Sequence, residues 1–356
     1  LGLFSEDFLH YLSGFHFSGD IYAIPEGSVI FPREPLVKVI APIMEAQLVE
    51  TAILNIINHQ SLIATKASRV VHAAQGNGVM EFGLRRAQGP DAGLYGARAA
   101  MIGGCVGTSN VLAGKMFDVP VLGTHAHSWI MSFPDEYTAF KEYARLYPDA
   151  CTLLVDTYDT LKSGVPNAIR VFQKKKDAGI HPKSYGIRLD SGDLAYLSKK
   201  ARKMLDEAGF PDAVIAASND LDEFLINDLK IQGAAITSWG VGTNLITSKD
   251  CPSFGGVYKL AAIQNKDGEF VPKIKISENI EKITNPGNKT IYRIYDKDTG
   301  KIRADLICFA DETYDTSEDL LLFDPNSTWK KTRLEGGTYT MKEILKPIFI
   351  RGECKY

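Results

Sequence analysis

The 356-residue chain is 45% apolar, has a formal charge of −3 and contains five cysteines. That charge balance gives no electrostatic footprint for nucleic acid, and no apolar run approaches the roughly 18 residues of a membrane span. An odd number of cysteines without CxxC spacing argues against a disulfide framework or a zinc ribbon and predicts reduced thiols in a cytoplasmic protein.

In chain order, LFSEDFLHYL opens without Met and inside a helical phrase, so segments are expected to be missing at one or both termini. An amphipathic helix is expected over 1–13. Residues 19–41 alternate short β-type runs with Pro and Gly, which predicts antiparallel strands and turns. A long helix is expected over 43–75, with apolar Leu48, Ala52, Ile56 and Ile63 at helical spacing. From residue 79 one phrase recurs: a short apolar run ends in polar residues, and a helix often follows. The runs end at EFGLRR, VGTSN, LGTHAHS, LVDTYD, IRLDSGD, AASND and SWGVGT, with helical patterns at 135–147 and 193–209. This repetition predicts a parallel α/β barrel with its chemistry at the carboxyl ends of the strands, a doubly wound open sheet being the alternative. After 251 the texture returns to strands, with KDGE and KDTG as hairpin turns. The expected organisation is residues 1–75 as part of a sheet-rich α+β domain plus a linking helix, 76–250 as the barrel, and 251–356 as the return to the sheet-rich domain.

The strand ends carry the candidate chemistry. His125 and His127 lie two apart after VPVL; on a strand they would share a face. They could begin a metal-dependent hydrolase site, handle phosphate, or form a structural pair. The other histidines (His10, His16, His59, His72, His181) fall on expected helices or loops, or ahead of a strand, and do not complete a metal set. Asp156, Asp159, Asp190 and Asp193 follow two successive runs and could serve a glycosidase. Asp193 is better read as the cap of the next helix, a role Ser191 could also fill. SWGVGTNL offers Gly240, Gly242 and Thr243 as a phosphate-binding turn, against the plainer reading of a tight turn. Arg85, Arg86 and Arg188 suggest an anionic substrate, although a solvated pair beside Glu81 is the simpler account of the first two. No nucleophilic Ser or Cys triad is evident.

Taken together, EGSVIFPREPLVKV, EFGLRRAQGPDAG, GTSNVLAG, GTHAHSWIMSF, LLVDTYDT, GIRLDSGDL, SNDLDE, GVGTNL and GGVYKL resemble the nicotinate phosphoribosyltransferase family. The resemblance implies an irregular parallel α/β barrel of the type II phosphoribosyltransferase kind with a second, sheet-rich domain. It implies formation of nicotinate mononucleotide and pyrophosphate from nicotinate and phosphoribosyl pyrophosphate, with ATP as co-substrate and Mg²⁺ as cofactor, in a homodimer with shared sites. His127 would be the phosphoacceptor. His125 would occupy a position the family varies, so its replacement by Met is expected to be mild. Phe82 would stack on the pyridine ring, Arg85 hold phosphates, Arg188 meet the carboxylate and Asp190 the ribose hydroxyls. Gly240, Gly242 and Thr243 would cradle the 5′-phosphate. Ser109 stands where related nicotinamide-using enzymes carry an acid. Thr124, Asp156, Asp159, Ser218 and Asn219 complete the expected substrate-binding set. Other classes kept open are a hydrolase using the HxH pair and a truncated, non-catalytic remnant. The family's aromatic N-terminal segment and C-terminal extension are not found in the sequence.

Overall fold

A computed structural model of the chain describes residues 2–276, 278, 283–325 and 327–355. Two compact units emerge, one of residues 1–54 with 257–356, the other of residues 55–256.

The first unit begins with helix α1 (Glu6–Ser13), capped by Ser5, and an antiparallel pair β1 (Asp20–Ala23) and β2 (Val37–Ile40). Helix α2 (Ile43–Leu48) ends at Val49, and α3 (Glu50–Ala73) then runs into the second unit. The continuous helix expected over 43–75 is therefore two helices. The buried stripe of α3 is Ile63, Ala67 and Val70, whereas Leu48 and Ile56 are exposed.

The second unit is built on a six-stranded parallel sheet. Its strands are β3 (Gly78–Glu81), β4 (Gly107–Thr108), β5 (Ala150–Leu154), β6 (Ser184–Leu189), β7 (Val214–Ala217) and β8 (Ser238–Val241), in the order β4-β3-β8-β7-β6-β5. Helices α4 (Pro90–Ile102), α5 (Val111–Phe117), α6 (His127–Met131), α7 (Glu136–Leu146), α8 (Val165–Asp177), α9 (Leu194–Glu207), α10 (Glu223–Ile231) and α11 (Thr243–Ile246) follow or separate the strands. Parallel strands covered on both faces need nearly continuous apolar sequence. Leu153, Leu154, Ile187, Leu189, Ile215, Trp239 and Val241 supply it and are fully buried.

The expected run through LGTHAHS is not a regular strand. Pro120 brings no N–H, and only Val121 bridges Thr108. Thr108 N donates to Pro120 O (3.0 Å) and Leu122 N to Thr108 O (2.9 Å), so residues 120–122 follow the edge of β4. Toward β5 the main-chain link is replaced by a side chain: Leu154 N donates to Nε2 of His125 at 3.2 Å. This seam makes the barrel irregular.

The chain returns to the first unit through β9 (Ala262–Gln264), β10 (Phe270–Pro272), β11 (Lys289–Asp296), β12 (Ile302–Phe309), β13 (Leu320–Asp324), β14 (Ser327–Leu334), β15 (Tyr339–Glu343), β16 (Lys346–Ile350) and β17 (Glu353–Cys354). All their pairings are antiparallel, and β16 closes onto β1. The expected turns KDGE and KDTG join β9 to β10 and β11 to β12. Part of the KIKISENIEKI stretch lies outside the described residues.

Candidate active site

The carboxyl ends of β5, β6 and β7 bring two acids, a histidine and an arginine together. Asp156 follows β5; its side chain is 2% exposed. Its Oδ2 accepts from Asp190 N (2.8 Å) and Ser191 Oγ (2.6 Å), so the loop after β6 hangs on the loop after β5. Asp190 in turn accepts from Ser218 Oγ at the end of β7. His127, the first residue of α6, reaches the same point. Its Nε2 lies 3.7 Å from Asp190 Oδ2 and 4.0 Å from Asp156 Oδ1, while Nδ1 is 3.0 Å from Thr157 Oγ1.

Arg188, on β6, donates from Nη1 to Thr124 Oγ1 at 2.6 Å. Burial lowers its affinity for the proton, opposed by Asp190 and Asp156; an arginine nevertheless keeps its charge. Two buried polar atoms of this group, Asp156 Oδ1 and Arg188 Nε, have no hydrogen-bond partner among the described residues. Buried polar atoms of this kind call for a partner such as a water, an ion or a polar ligand. Arg85 is exposed on the turn after β3 and acts electrostatically on Arg188, so two cations face the mouth.

Phe82 fixes the opposite wall. Its N donates to Val241 O at 2.8 Å. A Cβ on Gly240 would stand 2.6 Å from Phe82 Cδ2 and Cε2, and one on Gly242 would be 3.1 Å from Phe82 O. Gly240 thus makes room for the Phe82 ring; it lies within β8 rather than in the expected phosphate turn. Gly242 precedes α11, whose first residue is Thr243. Ser109 is half-buried at the end of β4 and donates its N–H to Glu81 O at 3.0 Å.

Not every expected residue joins the group. Asp159 is exposed and spends its carboxylate capping the next turn, accepting from Leu161 N and Lys162 N. Asn219 has φ of 94° and Asp220 φ of 45°, a left-handed pair that non-glycine residues adopt at a cost. Buried Asn244 holds this loop by donating to Asp220 O and Leu221 O. Asp193 caps α9 as read from its spacing, accepting from Tyr196 N, whereas Ser191 serves Asp156 instead. Among the described residues no three His, Cys, Asp or Glu side chains are grouped to hold a metal ion, and the HxH hydrolase reading is not supported.

Matches to three family models cover most of the sequence: the nicotinate phosphoribosyltransferase N-terminal domain at residues 1–58, the nicotinate phosphoribosyltransferase family at 78–299 and the C-terminal domain at 288–356. The chain belongs to the nicotinate phosphoribosyltransferase family. It is 55% identical over 353 residues to a Bacillus subtilis nicotinate phosphoribosyltransferase, covering 99% of this chain and 71% of that protein. A Mycobacterium tuberculosis relative of the same description is 47% identical over 293 residues, 82% of this chain and 61% of its own length. Human nicotinic acid phosphoribosyltransferase, known from a crystal structure, superposes with a TM-score of 0.83 at 28% identity, over 99% of this chain and 76% of the human one.

Within this phosphoribosyltransferase barrel the two histidines part company, contrary to the shared face expected of a strand. The extended segment ends at Ala126, and His127 starts a helix. His125, 8% exposed, turns inward against Phe140 and Tyr143 (ring centroids 4.5 Å apart for the latter). Burial pulls its pKa from 6.5 down to about 4, so the ring is neutral and accepts from Leu154. The mild effect expected of His125→Met concerns phosphorylation; for stability the buried bond to Leu154 N predicts a cost. Thioether sulfur is a weak acceptor, and a buried N–H without a partner costs ~1–3 kcal/mol. His125→Met should lower the melting temperature measurably. It should also abolish a pH dependence: with its pKa depressed on folding, the native histidine contributes stability above pH 6.5 that is lost as pH falls toward 4. Melts of both proteins between pH 7 and pH 4.5 check this; equal melting temperatures at pH 7 would refute it.

Glu81, Thr157, Ser191 and Asn244 were not singled out by spacing as members of the site. Arg85 and Arg86 are exposed, as a solvated pair would be, whereas Glu81 beside them is fully buried.

Proposed function

We propose that this chain carries out the nicotinate phosphoribosyltransferase reaction, joining nicotinate to phosphoribosyl pyrophosphate with release of pyrophosphate. The observation that carries this reading is the cluster of Arg188, Asp190, Asp156 and His127 at adjacent strand ends, with Arg188 Nε and Asp156 Oδ1 buried and unpartnered. Nicotinate's carboxylate would complete the bonding of Arg188, with the ring against Phe82. Asp190, held by Ser218, would accept from the ribose hydroxyls and favour positive charge developing at the anomeric carbon. The pyridine nitrogen then forms the bond to that carbon as the bond to pyrophosphate breaks.

The ATP coupling is part of the same proposal. An Nδ1–H donating to Thr157 leaves the Nε2 lone pair of His127 facing the mouth. Nε2 attacks the γ-phosphorus, the β–γ bridging bond breaks, and ADP leaves. The acids present fit Mg²⁺, which commonly takes one or two carboxylates plus substrate phosphates: Asp156 and Asp190 would hold it. When bound, the ion supplies charge neutralisation for the departing pyrophosphate. The homodimer is likewise proposed. Val111, 70% exposed, and exposed Leu112 and Met116 on α5, directly after Ser109 and Asn110, offer a second copy an apolar rim. Thiols outside any disulfide at Cys105, Cys151, Cys251 and Cys308 support a cytoplasmic location. Among the described residues no helix is long and apolar enough to cross a membrane.

Ser109→Asp tests the choice of acid over amide. A hydroxyl can donate to nicotinate's carboxylate, whereas an aspartate repels it and accepts from nicotinamide's N–H; like charges so placed cost several kcal/mol. The expected result is product from nicotinate with the parent chain. The variant should lose kcat/KM for nicotinate by about 100-fold or more and lose less for nicotinamide, with its melting temperature near the parent's. No nicotinate product from the parent would sink the function. Equal losses for acid and amide would remove Ser109 from substrate choice.

A further inference from the structure

Glu81 is a fully buried acid that the proposed reaction leaves unused. It closes β3, and its three oxygens bind two different loops. Oε1 accepts from Gly83 N, within its own loop, where Phe82 lies. Oε2 accepts from Thr108 Oγ1 at 2.6 Å, at the end of β4. The main-chain oxygen accepts from Ser109 N at 3.0 Å. Thr108, also fully buried, passes the link on: its Oγ1 accepts from Asn110 N at 3.0 Å. Asn110 in turn caps α5 by accepting from Ala113 N and donates to Gly93 O. The chain of donors runs in one direction, from Asn110 N–H through the Thr108 hydroxyl to the carboxylate. Burial raises the proton affinity of Glu81, and the bonds from Thr108 and Gly83 oppose that.

We propose that Glu81 is a positioning residue for pyridine selection: its carboxylate ties the Phe82 loop to the Ser109 loop and so sets the spacing between the ring face and the hydroxyl that reads the acid. This rests on the reading of the mouth as a nicotinate site. The geometry favours this job over a generic structural one because the two bonded loops carry Phe82 and Ser109, the residues that the proposed site sets against the pyridine. Phe82 is pinned on its far side by Val241 and by the close approach over Gly240. Ser109 N is already held by the Glu81 main-chain oxygen, and the carboxylate adds the side-chain link that fixes Thr108, beside Ser109, to Gly83, beside Phe82. The proposed phosphoribosyl side, made by Asp156, Asp190 and Ser218, is bonded within itself, with no hydrogen bond to Glu81 among the described residues, and should be spared.

The test separates the two halves of the substrate pair. Glu81→Gln cannot accept from both Gly83 and Thr108, because one end of an amide is a donor. Thr108→Val removes the hydroxyl from the other end while keeping the shape. Each should raise the KM for nicotinate about 10-fold, the change expected for one buried hydrogen bond, with the KM for phosphoribosyl pyrophosphate changed far less. Each should also narrow the ratio of kcat/KM between nicotinate and nicotinamide. The double variant should be little worse than the worse single one, since both break the same link. Thr108→Ser should recover most of the loss. Unchanged nicotinate KM in folded variants would overturn the proposal. So would equal losses toward both substrates that track the melting temperature, because that is the signature of plain destabilisation. If the parent chain itself makes no nicotinate product, the functional reading fails first and the proposal with it; a turning-over parent with indifferent variants rejects Glu81 alone.

Discussion

Replacing Arg188 by alanine should raise the KM for nicotinate by roughly 10- to 100-fold, the equivalent of the 1.5–3 kcal/mol of a charge-assisted hydrogen bond. The guanidinium is placed for this task and already half committed. Nη1 donates to Thr124 Oγ1, whereas Nε is buried without a partner. A planar carboxylate presented to the Nε edge would complete the set. Asp156 and Asp190 both act electrostatically on Arg188, so alanine does more than delete a donor. It leaves the two acids less balanced just where an anionic substrate must approach. Arg188→Lys should recover little, since a point charge cannot reproduce the fork that meets Thr124 and the ligand together. KM for each substrate, measured with a thermal melt, checks the expectation. An unchanged nicotinate KM in a folded Arg188→Ala protein would take Arg188 out of the pocket.

Much of this barrel was legible because parallel strands write a simple pattern. Leu153–Val155 and Ile215–Ala217 are short apolar runs, Ile187 and Leu189 flank Arg188 on β6, and the polar residues that follow (Asp156, Asp190 and Ser218) are the ones that meet at the strand ends. The hairpins in the return segment were legible for a similar reason, since KDGE and KDTG are local turn chemistry. What escaped depends on contacts far apart in sequence. His125 looks like a partner for His127 because spacing alone cannot show that the segment leaves the extended state at Ala126. Its real partner, Leu154 N, lies 29 residues on. Glu81 reads only as the neighbour of two arginines until Thr108 arrives from the next strand. Gly240 reads as half of a GxG phosphate turn, yet its lack of a side chain answers to the Phe82 ring just after β3. Asp159 and Asp190 are both acids following strand-like runs. Only the fold shows that one caps its own chain and the other meets His127.

His127→Asn should give a folded protein that takes up no label from γ-labelled ATP, while turnover without ATP persists at the low rate of an uncoupled enzyme. Asparagine keeps a polar side chain of similar reach but has no ring nitrogen lone pair to attack phosphorus. The contacts proposed for nicotinate lie elsewhere, its ring on Phe82 and its carboxylate on Arg188, so binding of the acid should survive. Thr157→Val supplies the finer test. The hydroxyl 3.0 Å from Nδ1 is the contact available to hold that nitrogen as the N–H and so direct the lone pair of Nε2 toward the mouth. Without it the tautomers become nearer in population and the ring less fixed, and the rate of labelling should fall about 10-fold, the scale of one hydrogen bond. The phosphoenzyme that does form should still be labile to acid and stable to base, as a phosphorus–nitrogen bond requires. Electrostatics also sets a direction. Nε2 lies 3.7 Å from Asp190 and 4.0 Å from Asp156, so the incoming phosphate meets two acids. In the proposed reaction cations would offset them, Arg85 and Arg188 from the chain and Mg²⁺ from solution. Chelating Mg²⁺ should therefore stop labelling of the parent protein, and adding it back should restore the label. Label retained in His127→Asn would show that another residue accepts the phosphate.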